Sequence, residues 1–480
     1  MANDLVETLW TALDPPGAPV RPLPSLVVTG APGGLPSVYA VDAFATACVT
    51  LATAAIAELV AVRAPTPASP AGERVSEAVR EVRVDRRHAA VAFRSERYQE
   101  PVGWTLPAIW DPIAGDYRTA DGWIRIHTNY ATHRAAALAA LGEPEPTREA
   151  VARVVGTRTG EALEEAIVAA GGAAAMMRTA AAWAAHPQGR AVASEPLFAT
   201  DVTPADAVAA TGLAGVAPPR ARGPGLAGLR VLDLTRVIAG PVCTRVLAAY
   251  GADVLRIDPP GFAEVPALLG ETTGGKRRAA LDLKSSAGRA AFDALVAGAD
   301  VLVCGYRGPA LEGLGLGVEH LRSLAPGLAI IRLDAYGWTG PWRARRGFDS
   351  LVQMSSGIAA RTQAALGTEL PGTLPAQALD HGAGYLLAAA AARALTRRHE
   401  RGVATTVRMS LARIAHVLMS LGDTGDPRAP PLTTGDPYRE RVTSSFGDLL
   451  RVRCPGSLAG LAPRWTHPPG PLGVDEPIWL

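Results

Sequence analysis

Cysteine is scarce in this chain. The 480 residues contain four, Cys48, Cys243, Cys304 and Cys454, far apart and with no Cys-x-x-Cys pair. That spacing argues against a disulfide framework and a cysteine zinc site, and it suits a reducing cytoplasm. A charge of one sign is also lacking. The formal net charge is +2, so neither bulk nucleic-acid binding nor a polyanionic partner is expected. The Ala-rich runs at 134–141 and 386–395 are too short and too closely flanked by charge for a membrane span, so no membrane partner is expected. Met1 to Pro16 carries acidic residues and no basic-then-apolar block, unlike a signal peptide. No Walker, H-E-x-x-H or G-x-S-x-G motif occurs, and the nine histidines are scattered, so no metal site is expected.

What is present suits a globular protein of two to three domains, with 48% apolar residues. The 50 glycines and 40 prolines fall between periodic segments rather than in tracts. One Pro/Gly/Arg stretch, Pro218–Gly228, reads as a linker. Beyond it, short β-rich runs alternate with amphipathic helices. Strands are expected at Arg230–Leu234, Asp253–Ile257, Asp300–Cys304 and Leu328–Leu333, with helices near 240–250 and 286–297. Such alternation predicts an α/β fold, a parallel sheet with helices on its faces. Before the linker the pattern is different. Helices are expected near 41–63, 74–80, 133–141 and across 147–185, with a Pro/Ala-rich loop at 64–72 and a turn and strand over 117–126. The resulting division is a helical and mixed segment over 1–217, the linker at 218–228, a sheet domain over 229–425, and an extended Pro-rich tail over 426–480.

The most informative stretch is Ala376–Tyr385. It sets Asp380 just ahead of a long Ala/Leu run. A carboxylate at the mouth of an apolar helix is costly as a surface charge and useful as a nucleophile. His381 beside it points elsewhere on a helix and reads as a supporting or surface group. Tyr39–Asp42 ahead of another Ala-rich helix, then Val82–Asp85, echoes Leu379–Asp380 followed by Thr406–Leu411, which suggests a partial duplication. Gly313-Leu314-Gly315-Leu316-Gly317 follows a helix rather than a first strand, so it reads as a turn and not a dinucleotide fingerprint. The basic turn Gly274–Arg278 and Tyr306–Pro309 both lie at element ends, where α/β proteins bind ligands. Arg307 there is a candidate phosphate ligand.

Six blocks taken together resemble the class III CoA-transferases, the family that includes formyl-CoA transferase, carnitine CoA-transferase and α-methylacyl-CoA racemase. They are LRVLDLTRVIAGP (229–241), GADVLRIDPPG (251–261), GGKRRAALDLKSSAGR (274–289), ADVLVCGYRGPALEGLGLG (299–317), YGWTGPWRARRGFDSLVQMSSG (336–357) and ALDHGAGYLLAAAAARAL (378–395). YRTADGWIRI (117–126) is similar to the start of that family's smaller domain, and Trp183 with His186-Pro187-Gln188 to its later helical segment. The order is rearranged, because the small-domain segment precedes the sheet half. Asp42 then corresponds to an echo of Asp380. Where such transferases often carry a glycine-rich loop, this chain has Ala108–Gly115.

The resemblance implies a Rossmann-like sheet domain with a smaller α+β domain, in an interlocked homodimer. It implies coenzyme A and acyl-CoA as substrates, with no tightly bound cofactor, and a carboxylic acid as acceptor. Asp380 is the implied nucleophile, passing through an aspartyl-CoA thioester. Val237, Ile238 and Ala239 are implied near the adenine or pantetheine arm, Lys276, Arg277 and Arg307 at phosphates, and Tyr336, Gly337, Asp349 and Gln353 at the inner pocket, with Gly382 letting the backbone approach the ligand closely. The family's racemases carry a Gly-His-Asp block. This chain has Gly347-Phe348-Asp349, which disfavours the alternative of a racemase or epimerase. A non-catalytic CoA-binding protein is the third reading, and the intact motif around Asp380 counts against it.

Overall fold

The computed structural model describes residues 2–64, 81–204 and 224–480. The helix expected near 74–80, nearly all of the 64–72 loop and the first half of the linker lie outside the described residues.

Seven strands build the central sheet: β1 (Ala199–Thr203), β2 (Arg230–Leu234), β3 (Asp253–Asp258), β4 (Arg277–Ala280), β5 (Val301–Cys304), β6 (Ala329–Asp334) and β7 (Ala404–Ser410). Their order is β4-β3-β2-β5-β6-β7-β1. Every neighbouring pair is parallel except β7 with β1. The runs VLVC in β5 and AIIRLD in β6 are buried along their whole length, because helices cover both faces of the sheet. Strand order reverses between β2 and β5. In a doubly wound sheet the crevice outside their carboxyl ends is where a ligand fits.

Five helices matter for the site: α1 (Val41–Arg63), α2 (Ala239–Ala249), α3 (Ser286–Ala297), α4 (Asp349–Ser356) and α5 (Ala378–Arg401). Helix α1 is long and apolar enough to cross a membrane, and most of it is buried inside the structure. It packs along α5, which in turn crosses α2. The crossing depends on small residues. A Cβ on Gly384 would lie 2.5 Å from the Val242 side chain and 2.7 Å from the Ala239 carbonyl oxygen. Only glycine lets α5 come this close to the start of α2, and that approach brings Asp380 beside the β2–α2 turn. Arg393, fully buried on α5, donates to Glu58 of α1 at 2.9 Å and to Asp14.

The internal echo has a structural counterpart. Ser25–Thr29 pairs in parallel with Glu81–Asp85, with α1 between them and a helix at Arg86–Ala92 after them. Strands β6 and β7 pair in parallel in the same way, with α5 between them and a helix at Leu411–Ser420 following. Strand β1, from the first part of the chain, closes the central sheet, and one apolar core joins α1 to β2, α2 and α5.

A smaller three-stranded antiparallel sheet combines Gly115–Arg118, Trp123–Ile126 and Ala174–Met176. It packs with helices at Ala131–Ala140, Arg148–Val155 and Gly160–Ala169 around its own core of Tyr117, Ile124, Val151 and Ile167. The turn and strand expected over 117–126 is therefore a hairpin.

Two expectations need correction. The tail is not merely extended, because Arg439–Ser444 and Gly447–Val452 pair as a hairpin and Glu100–Val102 adds a third strand. The last residues then cover the free edge of β4, where Arg278 and Asp475 exchange backbone and side-chain hydrogen bonds. Covering an edge in this way removes a site for unwanted strand pairing.

The second correction is Lys276. It is fully buried, with Nζ 2.9 Å from Asp233 and 3.1 Å from the Pro241 carbonyl. Burial pulls the ammonium down to about 8 against the opposing pull of Asp233. Asp233 also accepts from Thr235 and Thr244, so this pair ties β2 to α2. Lys276→Met is expected to lower unfolding free energy by about 3–5 kcal/mol, because it strands a buried carboxylate. A urea titration showing less than about 1 kcal/mol of change would remove the pair from this role.

Candidate active site

The site lies between the carboxyl ends of the sheet and the small domain. A cavity of about 380 Å³ opens there, lined by the turns after β2, β5 and β6 and by Tyr130 and His133 of the small domain. A second cavity of about 60 Å³ continues from it. Asp380 lines both, as do Val237, Ile238, Tyr130 and Phe348. The carboxyl group that the sequence singles out thus stands where two cavities meet, 7% exposed.

Asp380 sits in the first turn of α5, whose free N–H groups would ordinarily favour a nearby anion. A different carboxylate takes them. Asp349 Oδ2 accepts from the backbone N–H of Leu379 at 2.8 Å and of Asp380 at 3.0 Å. Gln353 holds Asp349 from α4 and accepts from the Leu374 N–H at 2.8 Å. Burial lifts Asp349 to about 6, with the bonds from Gln353 and the two N–H groups opposing. For Asp380, burial and then the neighbouring carboxylates of Asp349 and Glu96 raise the group well above the usual carboxylate range. Burial pushes Glu96 up, but the hydrogen bond from His381 at 2.9 Å, its charge, Arg97 and a backbone hydrogen bond together hold the carboxyl below its ordinary value. His381 is therefore a buried partner of a residue far away in sequence, and not a surface group.

The β2–α2 turn forms one wall. Val237 adopts φ of +63°, a left-handed conformation that a β-branched residue rarely takes. Glu264 stabilises it by accepting from the Val237 N–H at 3.1 Å. The same carboxylate takes the Arg256 guanidinium at 3.1 Å and the Tyr130 hydroxyl at 2.7 Å, which links the turn to the small domain. Strain concentrated at such a turn is a mark of a functional constraint.

Cations line the larger cavity. Arg236 lies 3.7 Å over the Phe262 ring and 4.9 Å over Tyr306. Arg307 donates to the Ala344 carbonyl at 3.5 Å. Arg346 is held below its ordinary value by burial and by the like charge of Arg307. Among the described residues, none of these three has a carboxylate partner. Arg345 differs, because Glu164 holds it at 3.0 Å and it stacks on Trp342. Unpaired arginines around a cleft of this size suit phosphate groups.

Of the residues implied at the sequence level, the structure gathers Val237, Ile238, Ala239, Arg307 and Asp380 around the larger cavity, and Asp349 at the smaller. The others lie elsewhere. Lys276 is buried with Asp233, and Arg277 pairs with Asp253 and the Ile478 carbonyl, so neither faces the cavities. Tyr336 is fully buried, 3.1 Å from the Ser355 hydroxyl, and Gly337 lies against Glu195. Gln353 supports Asp349 from behind. Gly382 faces α1, where a Cβ would lie 2.5 Å from the Phe44 ring. Sequence reasoning missed Arg236, Arg346, Glu264, Tyr130 and His127. The signal for the two arginines was their position immediately after a strand end and in the basic run 343–346.

Comparison with known proteins adds a family. Residues 226–427 match the model of CoA-transferase family III. An acetyl-coenzyme A transferase of Hypoxylon pulicicidum is 34% identical over 190 residues, 39% of this chain and 32% of its own length. A probable fatty acyl-CoA transferase of Mycobacterium tuberculosis is 32% identical over 203 residues, 40% of this chain and 51% of its own. A succinyl-CoA–D-citramalate CoA-transferase of Chloroflexus aurantiacus is 35% identical over 157 residues, 30% and 38%. This chain thus spans about half the length of these relatives or less. A crystal structure of the Mycobacterium tuberculosis protein superposes with a TM-score of 0.39 at 33% identity, covering 41% of this chain and 56% of that one.

Proposed function

From the match of residues 226–427 to CoA-transferase family III we propose that this chain moves CoA between an acyl-CoA donor and a carboxylic acid acceptor, with Asp380 as the covalent relay. The observation that carries the reading is the position of Asp380 at the junction of an arginine-lined cavity and a smaller, mostly apolar one. The first suits the phosphates and arm of CoA, with Arg236, Arg307 and Arg346 facing it. The second suits an acyl group.

In the first step the Asp380 carboxylate attacks the thioester carbonyl. The C–S bond breaks, CoA thiolate leaves, and a mixed anhydride forms. The thiolate then attacks the Asp380 carbonyl carbon of that anhydride, releasing the donor acid and leaving an aspartyl-CoA thioester. The acceptor carboxylate attacks this thioester, and the returning thiolate takes the acceptor's acyl carbon, which regenerates Asp380. Water must be kept out of both activated esters, and the low exposure of Asp380 supports that. A carboxylate poorly solvated in this way is reactive once ionised, and Asp349 keeps the start of α5 in place while charge moves on its neighbour.

The test is intact-protein mass after incubation with acyl-CoAs, with and without hydroxylamine, for the native chain and Asp380→Ala. A CoA or hydroxamate adduct is expected on the native chain alone. CoA binding with no adduct from any donor would sink the reading. Racemisation has one observation to weigh: His127 stacks 3.7 Å from Phe348 beside the cavity. Burial, then His133 and Arg125, lowers His127 to about 3, so at neutral pH it carries no imidazolium charge and is too weak a base to take an α-proton. No deuterium wash-in at the α-carbon is therefore expected. A cytoplasmic homodimer belongs to the same proposal, and light scattering tests its second half.

A further inference from the structure

The smaller cavity differs in chemistry from the larger one. Its walls are Ile109, Trp110, Ile238, Val265, Leu268 and Phe348. Its acidic lining is Asp380, Asp349 and Glu96; its basic lining is Arg97, which already pairs with Glu96 at 3.6 Å, and His127, which burial keeps uncharged at neutral pH. The free arginines line the other cavity. A second carboxylate carried in on an acyl chain would thus meet three carboxyl groups and no available cation. An alkyl chain would meet apolar walls, gaining about fourfold per buried methylene.

Size sets the other limit. The cavity holds about 60 Å³, and a water-sized group needs roughly 10–15 Å³ of such space. We propose that this cavity is the acyl subsite and that it selects a short, uncharged aliphatic acyl group, of about four to six heavy atoms, over dicarboxylic and long-chain ones. The proposal rests on the transferase reading of Asp380 above.

Butyryl-CoA and succinyl-CoA make the decisive pair, because they match in chain length and differ in a terminal charge. Rates of adduct formation on the native chain are expected to favour butyryl-CoA over succinyl-CoA by about 100-fold or more, the scale of one like-charge contact at an interior site. Decanoyl-CoA should fall at least about tenfold below butyryl-CoA, because its chain overfills the cavity. Leu268→Ala should move the optimum toward hexanoyl-CoA by about tenfold relative to butyryl-CoA, roughly two methylenes of new space. Equal or faster reaction of succinyl-CoA, or no move in Leu268→Ala, overturns the proposal while leaving the transferase reading intact. If no thioester forms an adduct, that reading fails, and calorimetric binding of CoA, butyryl-CoA and succinyl-CoA decides the subsite. Butyryl-CoA binding tightest supports it, and any other order overturns it.

Discussion

Asp380→Asn is expected to slow acyl transfer on the order of 10⁴-fold or more and, at the same time, to make the folded protein more stable at neutral pH. The two effects have one cause. Burial and the carboxylates of Asp349 and Glu96 raise Asp380 well above its ordinary value. In the unfolded chain the same group ionises in the usual carboxylate range. A folded value above the unfolded one means that stability is fully present below the unfolded value and is lost as pH rises through the folded one. Asparagine has no proton to lose, so the variant escapes that loss. Its advantage in thermal or urea unfolding should be largest above neutral pH and should shrink toward pH 4. The native enzyme's kcat/KM should rise with pH over the same interval, as the nucleophile ionises. A site residue that costs stability in return for reactivity behaves this way, whereas a structural carboxylate does not. Asp380→Asn that unfolds more readily than the native chain at pH 8 would contradict the assignment.

Asp349→Asn separates the cap from the nucleophile. Its amide oxygen can still accept from the N–H groups of Leu379 and Asp380, so α5 should keep its start. The like charge beside Asp380 disappears, and Asp380 should ionise at lower pH. The pH–rate profile is therefore expected to move to the acid side with the nucleophile intact. No movement would mean that Asp349 does not govern the ionisation of Asp380.

The central sheet was legible because its strands are buried on both faces and so read as short apolar runs between glycine and proline breaks. Arg230–Leu234 and Asp300–Cys304 could be found by eye for that reason. The tail hairpin was not legible. Arg439–Ser444 is polar and half-exposed, so its alternation carries little apolar signal. Lys276 and Arg277 misled for a different reason. A basic turn at an element end looks like a phosphate ligand until its partner is known, and Asp233, 43 residues away, is brought beside Lys276 only by the sheet. His381 and Glu96 are 285 residues apart and meet only because the fold sets the short helix Ser95–Tyr98 beside the start of α5. Asp380 stood out because a carboxylate leading an apolar helix needs no tertiary information to look anomalous. Arg236 and Arg346 look like ordinary surface charges until the fold shows that, among the described residues, no carboxylate pairs with them.

Arg307→Ala and Arg346→Ala should each weaken CoA binding by about 10- to 100-fold, the loss of a charge-assisted hydrogen bond to a phosphate. The double variant should lose about 10²- to 10³-fold, less than the product, because neighbouring groups that share a ligand are not additive. Two further readouts distinguish phosphate binding from a general loss of structure. Thioesters of pantetheine, which lack the nucleotide phosphates, should react with the variants as they do with the native chain. Affinity for CoA should also become less sensitive to added salt as cations are removed. Unfolding of the ligand-free variants supplies the counterpart. Arg346 is disfavoured in the folded protein by burial and by Arg307, so removing either charge should leave the free protein as stable as before or more so. Weaker CoA binding together with undiminished free stability is expected of cations held apart from any partner for a ligand. Arginines that merely brace the loop after β6 would show the opposite, with stability falling and CoA affinity following it.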